Sequence, residues 1–201
     1  MTLALPDGIT LYFARHGQTE ANVEKRFSGF KDTPLTPLGL EQAAAVGRIL
    51  GRELGAAAGY AFVSSPLARA VTTMRLAREA MGLPPGGFST DNRLKEINLG
   101  VWDQLTDQEA RALSPALFDA RAADKWHVRV PGGENYAEVA ARLTDWVHEL
   151  QQNTVAVSHG ATIRILRGLL AGMDWHGMNA LDEPQGVVFR ARGSDVALLK
   201  P

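Results

Sequence analysis

At 201 residues, 45% hydrophobic and 21% charged, the chain suits one compact globular domain with a sizeable core and leaves little room for two. With 21 Lys plus Arg against 22 Asp plus Glu, its net charge of -1 gives no general pull toward nucleic acid or an anionic membrane, so attraction to anions has to be local. The absence of cysteine excludes disulfides, thiolate nucleophiles and cysteine zinc sites, and with no apolar run of membrane-spanning length a cytoplasmic protein is the expectation.

Residues 9–14, ITLYFA, predict a buried strand: apolar, β-branched and aromatic residues bounded by turn formers, ending on Arg15-His16-Gly17. A helix follows over 36–54, with Thr36 as N-cap, Pro37 in its first position, and Leu38, Val46, Ile49 and Leu50 near one face. YAFVS at 60–64 is the second strand. The helix after it takes Ser65 as cap and Pro66 as first position, carries Val71, Met74 and Met81 at helical spacing, and stops at Gly82. From about 100 to 131 the pattern breaks into short, weakly amphipathic helical pieces interrupted at Ser114 and Pro115, read as a lid-like excursion over the sheet's edge. A helix over 135–150 presents Tyr136, Val139, Leu143, Trp146, Val147 and Leu150 as a stripe. TVAVS at 154–158 is the third strand, followed by a last helix from about Ala161 packing through Leu166, Leu169 and Leu170. VVFRA at 187–191 opens a hairpin turning at 192–195. Strands alternating with helices predict a mostly parallel sheet covered on both faces, with that hairpin as an antiparallel edge.

Open α/β sheets bind ligands outside the carboxyl ends of their strands, where helix N-termini also point. The three such ends here are Arg15-His16-Gly17, Ser64-Ser65-Pro66 with Arg69 close behind, and Ser158-His159-Gly160. Arg15 and Arg69 offer planar forks for phosphoryl oxygens, Gly17 and Gly160 let backbone amides come close to an anion, and Asn22 can donate an amide. A neutral imidazole is a competent nucleophile near pH 7, so His16 can take a phosphoryl group if a backbone carbonyl holds its other nitrogen. A protonated His159 would stabilise the charge on the equatorial oxygens. The leaving alkoxide needs a proton, and Glu96 in RLKEINLGVW is the best donor, with Asp91, Asp103 and Glu20 as alternatives.

The segment Lys125, Trp126, His127 and Arg129 interleaves basic and aromatic residues, but it is short and lies in a chain without basic surplus, so a lid over the distal part of the substrate is preferred to nucleic-acid stacking, with a solvated loop as the other reading. His148 and Trp146 read as structural. The histidines lack a metal-site spacing.

In order, RHGQTEAN, RFSGFKDTPLTPLG, SSPLARAVTT, LKEINLGVW, PGGEN and VSHGATIR resemble the histidine phosphatase superfamily, the phosphoglycerate mutase-like proteins, over nearly the whole chain. The resemblance implies a three-layer α/β/α sandwich and a phosphohistidine on His16, with Arg15, Arg69 and His159 completing the phosphate pocket. It also implies that Asn22 and the Ser28-Gly29 turn line the substrate side, that Glu96 is the proton donor, that Ala161 contributes a backbone amide, and that neither metal nor cofactor is required. The expected partner is a small phosphorylated substrate, with a homodimer left open and neither nucleic acid nor membrane involved.

The expected activity is a phosphomonoesterase. A bisphosphoglycerate-dependent mutase is the alternative, disfavoured because the 100–131 segment is short and its Arg111, Arg121, Lys125 and Arg129 include no adjacent arginine pair. The PGGEN turn resembles the phosphatase branch, including α-ribazole phosphatase-like and broad-specificity members, where serine more often stands at Asn135. A non-catalytic phosphate-binding module is the third reading, opposed by the intact set Arg15, His16, Arg69, Glu96 and His159.

Overall fold

The computed structural model describes residues 3–55, 57 and 59–201. Among these, strands β1 (Thr10–Arg15), β2 (Ala61–Ser64), β3 (Ser89–Thr90), β4 (Thr154–Ser158), β5 (Val188–Arg192) and β6 (Asp195–Leu199) form one sheet in the order β3-β2-β4-β1-β5-β6. The pairs β1/β4, β2/β4 and β2/β3 are parallel, while β5 runs antiparallel to β1 and β6, giving the predicted hairpin edge.

The period of two along β1 builds three layers. Leu11 and Phe13 face α6 (Tyr136–His148) and α7 (Gly160–Leu170), packing with Leu143, Val147, Ile163 and Leu166. Tyr12 and Ala14 face α2 (Pro37–Leu54) and α3 (Ala68–Ala80), packing with Val46, Ile49, Ala70 and Met74. A short α1 (Glu20–Val23) follows β1, and α4 (Asp107–Leu113), α5 (Pro115–Ala123) and α8 (Trp175–Ala180) complete the α-helices among the described residues. None of these is long and apolar enough to cross a membrane.

Several boundaries differ from expectation for identifiable reasons. Helix α3 starts at Ala68, not Pro66, because the Ser65 hydroxyl is engaged elsewhere, accepting from the Leu67 amide at 3.3 Å and meeting His159 Nε2 at 2.7 Å. The first amides of α3 are capped from a distance instead: Asp32 accepts from Ala68 N at 2.7 Å and Arg69 N at 3.4 Å. Leu38 is exposed rather than on the buried face, whose first turn is made by Gly39. Helix α8, capped by the Asp174 side chain, follows the helix that was expected to be last. The two-residue β3 is too short for any periodicity to reveal.

The 100–131 excursion is interrupted at Ser114-Pro115, between α4 and α5. It pairs with the loop after α1, through Phe27 N to Leu105 O and Gln104 N to Phe27 O, each 2.8 Å. There Trp102, Ala110 and Val130 form a separate small core with Phe27, and the excursion walls the cavity at the carboxyl ends of the strands.

Candidate active site

The parallel register of β1 and β4 pairs Arg15 with Ser158, so the next residue of each strand emerges at the same edge. His16 and His159 therefore lie side by side, ring centroids 5.1 Å apart and planes tilted by 59°. Both are buried. His16 Nδ1 lies 2.7 Å from the Gly17 carbonyl, which can only accept, so Nδ1 carries the hydrogen and Nε2 keeps its lone pair. Burial, with the Arg15 and Arg69 guanidinium groups adding to it, holds the imidazole well below its ordinary pKa, so it is neutral. The carbonyl-held neutral imidazole that nucleophilic attack requires is thus present.

His159 differs from expectation. Its Nδ1 accepts from Arg69 Nε at 3.2 Å, which places the hydrogen on Nε2, donated to Ser65 Oγ at 2.7 Å. Burial and then the Arg69 charge push its pKa well down, so it too is neutral. The local positive charge comes from guanidinium groups.

Arg69 departs further from the predicted open fork. Nη1 donates to Lys31 O and Asp32 Oδ1, both 2.9 Å, and Nη2 to Ser28 O at 3.1 Å and Gly29 O at 2.6 Å. With Nε on His159, all five N–H groups are engaged, because the carbonyls of the 28–31 loop converge on this side chain. Arg69 bolts that loop to His159. Arg15 is the more available cation: it lines the cavity, and its buried Nε has no partner among the described residues.

Glu96 sits on a segment suspended from β4 and α7, with Ser158 Oγ donating to Leu94 O at 2.7 Å and Thr162 Oγ1 to Lys95 O at 2.8 Å. Its carboxylate accepts from the amides of Ile97 (2.9 Å), Ala161 (3.2 Å) and Thr162 (3.2 Å). The Ala161 amide expected to meet an anion meets this carboxylate. Glu96 lines the same cavity of about 220 Å3 as Arg15, His16, Asn22, Ser28 and Ala161. The alternative donors are elsewhere: Asp91 pairs with Arg93, Asp103 accepts from the amides of Gly29, Phe30 and Lys31, and Glu20 is exposed on α1.

The glycines divide. A side chain at Gly17 would overlap the Gly39 carbonyl at the start of α2, and the Gly17 amide donates to Thr73 Oγ1 at 3.1 Å, so this glycine admits a helix rather than an anion. Gly160 instead lies against two residues that line the cavity: a side chain there would strike the Glu183 carboxylate and the Arg15 guanidinium. Gly29 packs on the backbone of Ile97 and Leu99 outside the cavity, leaving Ser28 as the lining residue of that turn. Asn22 completes the capping box of α1 and accepts from Gln185 Nε2 at 3.1 Å.

Residues that sequence reasoning missed form the far wall: Arg164 and Glu183, alongside Tyr136. Arg164 donates to Tyr136 Oη at 3.1 Å and pairs with Glu183 at 2.7 Å. Arg121 and Lys125 line this wall too, with no ion pair among the described residues, and burial lowers the pKa of each. Of the segment read as a lid, Lys125 lines the cavity, whereas Trp126 packs on the core, His127 lies against Asp124 in solvent, and Arg129 pairs with Glu138.

A model of the histidine phosphatase superfamily (branch 1) matches residues 11–192. The chain is 36% identical over 176 residues to glucosyl-3-phosphoglycerate phosphatase of Mycolicibacterium vanbaalenii, covering 81% of itself and 74% of that protein. The α-ribazole phosphatase of Shigella flexneri superposes with a TM-score of 0.82 at 26% identity, with 96% of each chain covered. Mycobacterial glucosyl-3-phosphoglycerate phosphatase, in a complex with VO3, superposes with a TM-score of 0.75 at 30% identity, covering 95% of this chain and 96% of that one.

Proposed function

The chain belongs to the histidine phosphatase superfamily, branch 1, and from that premise we propose that it hydrolyses small phosphomonoesters through a phosphohistidine on His16. The observation that carries this reading is the His16 imidazole, neutral and buried, its Nδ1 hydrogen held by the Gly17 carbonyl. Its Nε2 lone pair forms the P–N bond as the ester P–O bond breaks, and the departing oxygen takes a proton from Glu96. The Nδ1–H on Gly17 O then stabilises the phosphoimidazolium. Water next attacks phosphorus while Glu96 takes its proton back, and the P–N bond breaks to release phosphate and neutral His16.

Arg15 supplies a fork to the phosphoryl oxygens, with the unpartnered Nε as one ready donor. Arg69 and His159 act from behind it, Arg69 by its charge and both by keeping the Ser28 turn in place. Asn22, Ser28, Gly160 and Ala161 border the reacting group. The guanidinium charge takes the part a metal ion plays elsewhere, so turnover is expected to be metal-independent. Arg121 and Lys125, cations without carboxylate partners among the described residues, suit a leaving alcohol that bears its own negative charge, a feature the mutase alternative would share.

The test is turnover of p-nitrophenyl phosphate in excess chelator, followed by acid quench after mixing with labelled ester. Turnover with an acid-labile label on residue 16, both lost in His16→Ala, is the expected result. A label elsewhere ends the reading. Anion binding with no turnover of any phosphoester points to the binding module, and rapid interconversion of 3- and 2-phosphoglycerate, primed by bisphosphoglycerate and without phosphate release, to the mutase.

A further inference from the structure

Five residues before β5, the chain borders the cavity and places a carboxylate where an anion would be expected. Glu183 Oε1 is 2.7 Å from Arg164 Nη2, and Oε2 is 3.5 Å from Arg15 Nη1, which also donates to the Glu183 carbonyl at 2.7 Å. The carboxylate lies against Gly160, at the N-terminus of α7, so closely that no side chain fits between. A carboxylate and a phosphoryl group compete for the same guanidinium donors and the same helix end. On Arg15 the two meet at Nη1, while Nε stays available to a phosphoryl oxygen.

We propose that Glu183 is an internal occupant of the phosphate cradle, holding Arg15 and Arg164 until a phosphoryl group displaces it and returning as phosphate leaves. The backbone on either side is anchored independently of the carboxylate. Leu181 O accepts from Arg164 Nε at 3.0 Å, and Gln185 Nε2 donates to His16 O at 3.1 Å. The side chain itself is 23% exposed, so it has a path to solvent by rotation about its own bonds. With Glu183 seated, neither arginine faces the cavity as an uncompensated charge. The exchange weakens phosphate binding and thereby limits inhibition by product. This rests on the reading of Arg15 as a phosphoryl ligand.

The test is Glu183→Gln, which keeps the shape and removes the charge, with inorganic phosphate binding followed by calorimetry and p-nitrophenyl phosphate turnover measured beside it. Phosphate affinity should rise about 3- to 10-fold and KM fall in step, with kcat unchanged or lower as release slows. Glu183→Asp, too short to reach both arginines, should move phosphate affinity in the same direction by less, and it serves if the glutamine variant does not fold. Unchanged or weaker phosphate binding in the variants overturns the proposal, since Glu183 would then merely hold the arginines in place. Binding needs no turnover, so tighter phosphate binding in an inactive protein keeps this inference while removing the phosphatase reading, and normal turnover with unaltered affinity does the reverse.

Discussion

The floor of the cavity and its far wall are built differently. The floor consists of residues one step beyond a strand or within the first turn of a helix: His16 after β1, His159 after β4, Arg69 in α3. Each is buried and held by hydrogen bonds to its neighbours. The wall draws Arg121 and Lys125 from the excursion, Arg164 from the middle of α7, and Glu183 from the run into β5, with Glu183 ion-paired to Arg164 and to Arg15 and each of these side chains keeping some solvent. A rigid sheet edge thus carries the groups proposed to react, while segments of freer length line the rest of the cavity.

Three measurements sharpen or break this division. The largest effect belongs to the floor. Glu96→Gln should slow alkyl phosphates by about 10²- to 10⁴-fold and p-nitrophenyl phosphate far less, because nitrophenolate leaves without a proton. Equal losses for both would remove Glu96 from the donor role.

The second concerns stability in acid. His16 and His159 are held well below their ordinary value near 6.5, so the unfolded chain takes up protons that the native one refuses. Their contribution is complete above about pH 7 and is lost as pH falls below 6.5, each histidine adding a slope of up to about 1.4 kcal/mol per pH unit. Urea unfolding between pH 7 and pH 5 reads this slope, and His159→Asn should reduce it. A flat profile would mean the floor is wetter than its packing indicates.

The smallest effect belongs to the wall. Lys125→Gln should lower kcat/KM for 3-phosphoglycerate by about 3- to 5-fold relative to p-nitrophenyl phosphate, a rim charge acting on a distant anion. A proportional loss for both substrates would place Lys125 with the chemistry.

The same division explains what could be read in advance. Strands β1, β2, β4 and β5 and the cap at Thr36 were legible because each is a local pattern with a local cause, and His16 and His159 because they end such patterns. Glu183 was not: its meeting with Arg15 spans 168 residues and leaves no spacing to detect. Arg69 shows a subtler limit. Its place in the first turn of α3 was foreseeable, but four carbonyl and carboxylate oxygens from the loop at 28–32 converge on it, and no motif announces that. Gly17 likewise signals only that a side chain is forbidden, and the obstacle proves to be the backbone of α2.

The suspension of residues 94–96 from Ser158 and Thr162 has a wider consequence. The proposed proton donor hangs from the junction of β4 with α7, β4 is paired in register with β1, which carries His16, and the excursion departs only after Glu96 has been secured. Insertions or deletions beyond residue 100 can therefore reshape the chamber for bulkier or smaller alcohols while the spacing of acid and nucleophile stays as it is.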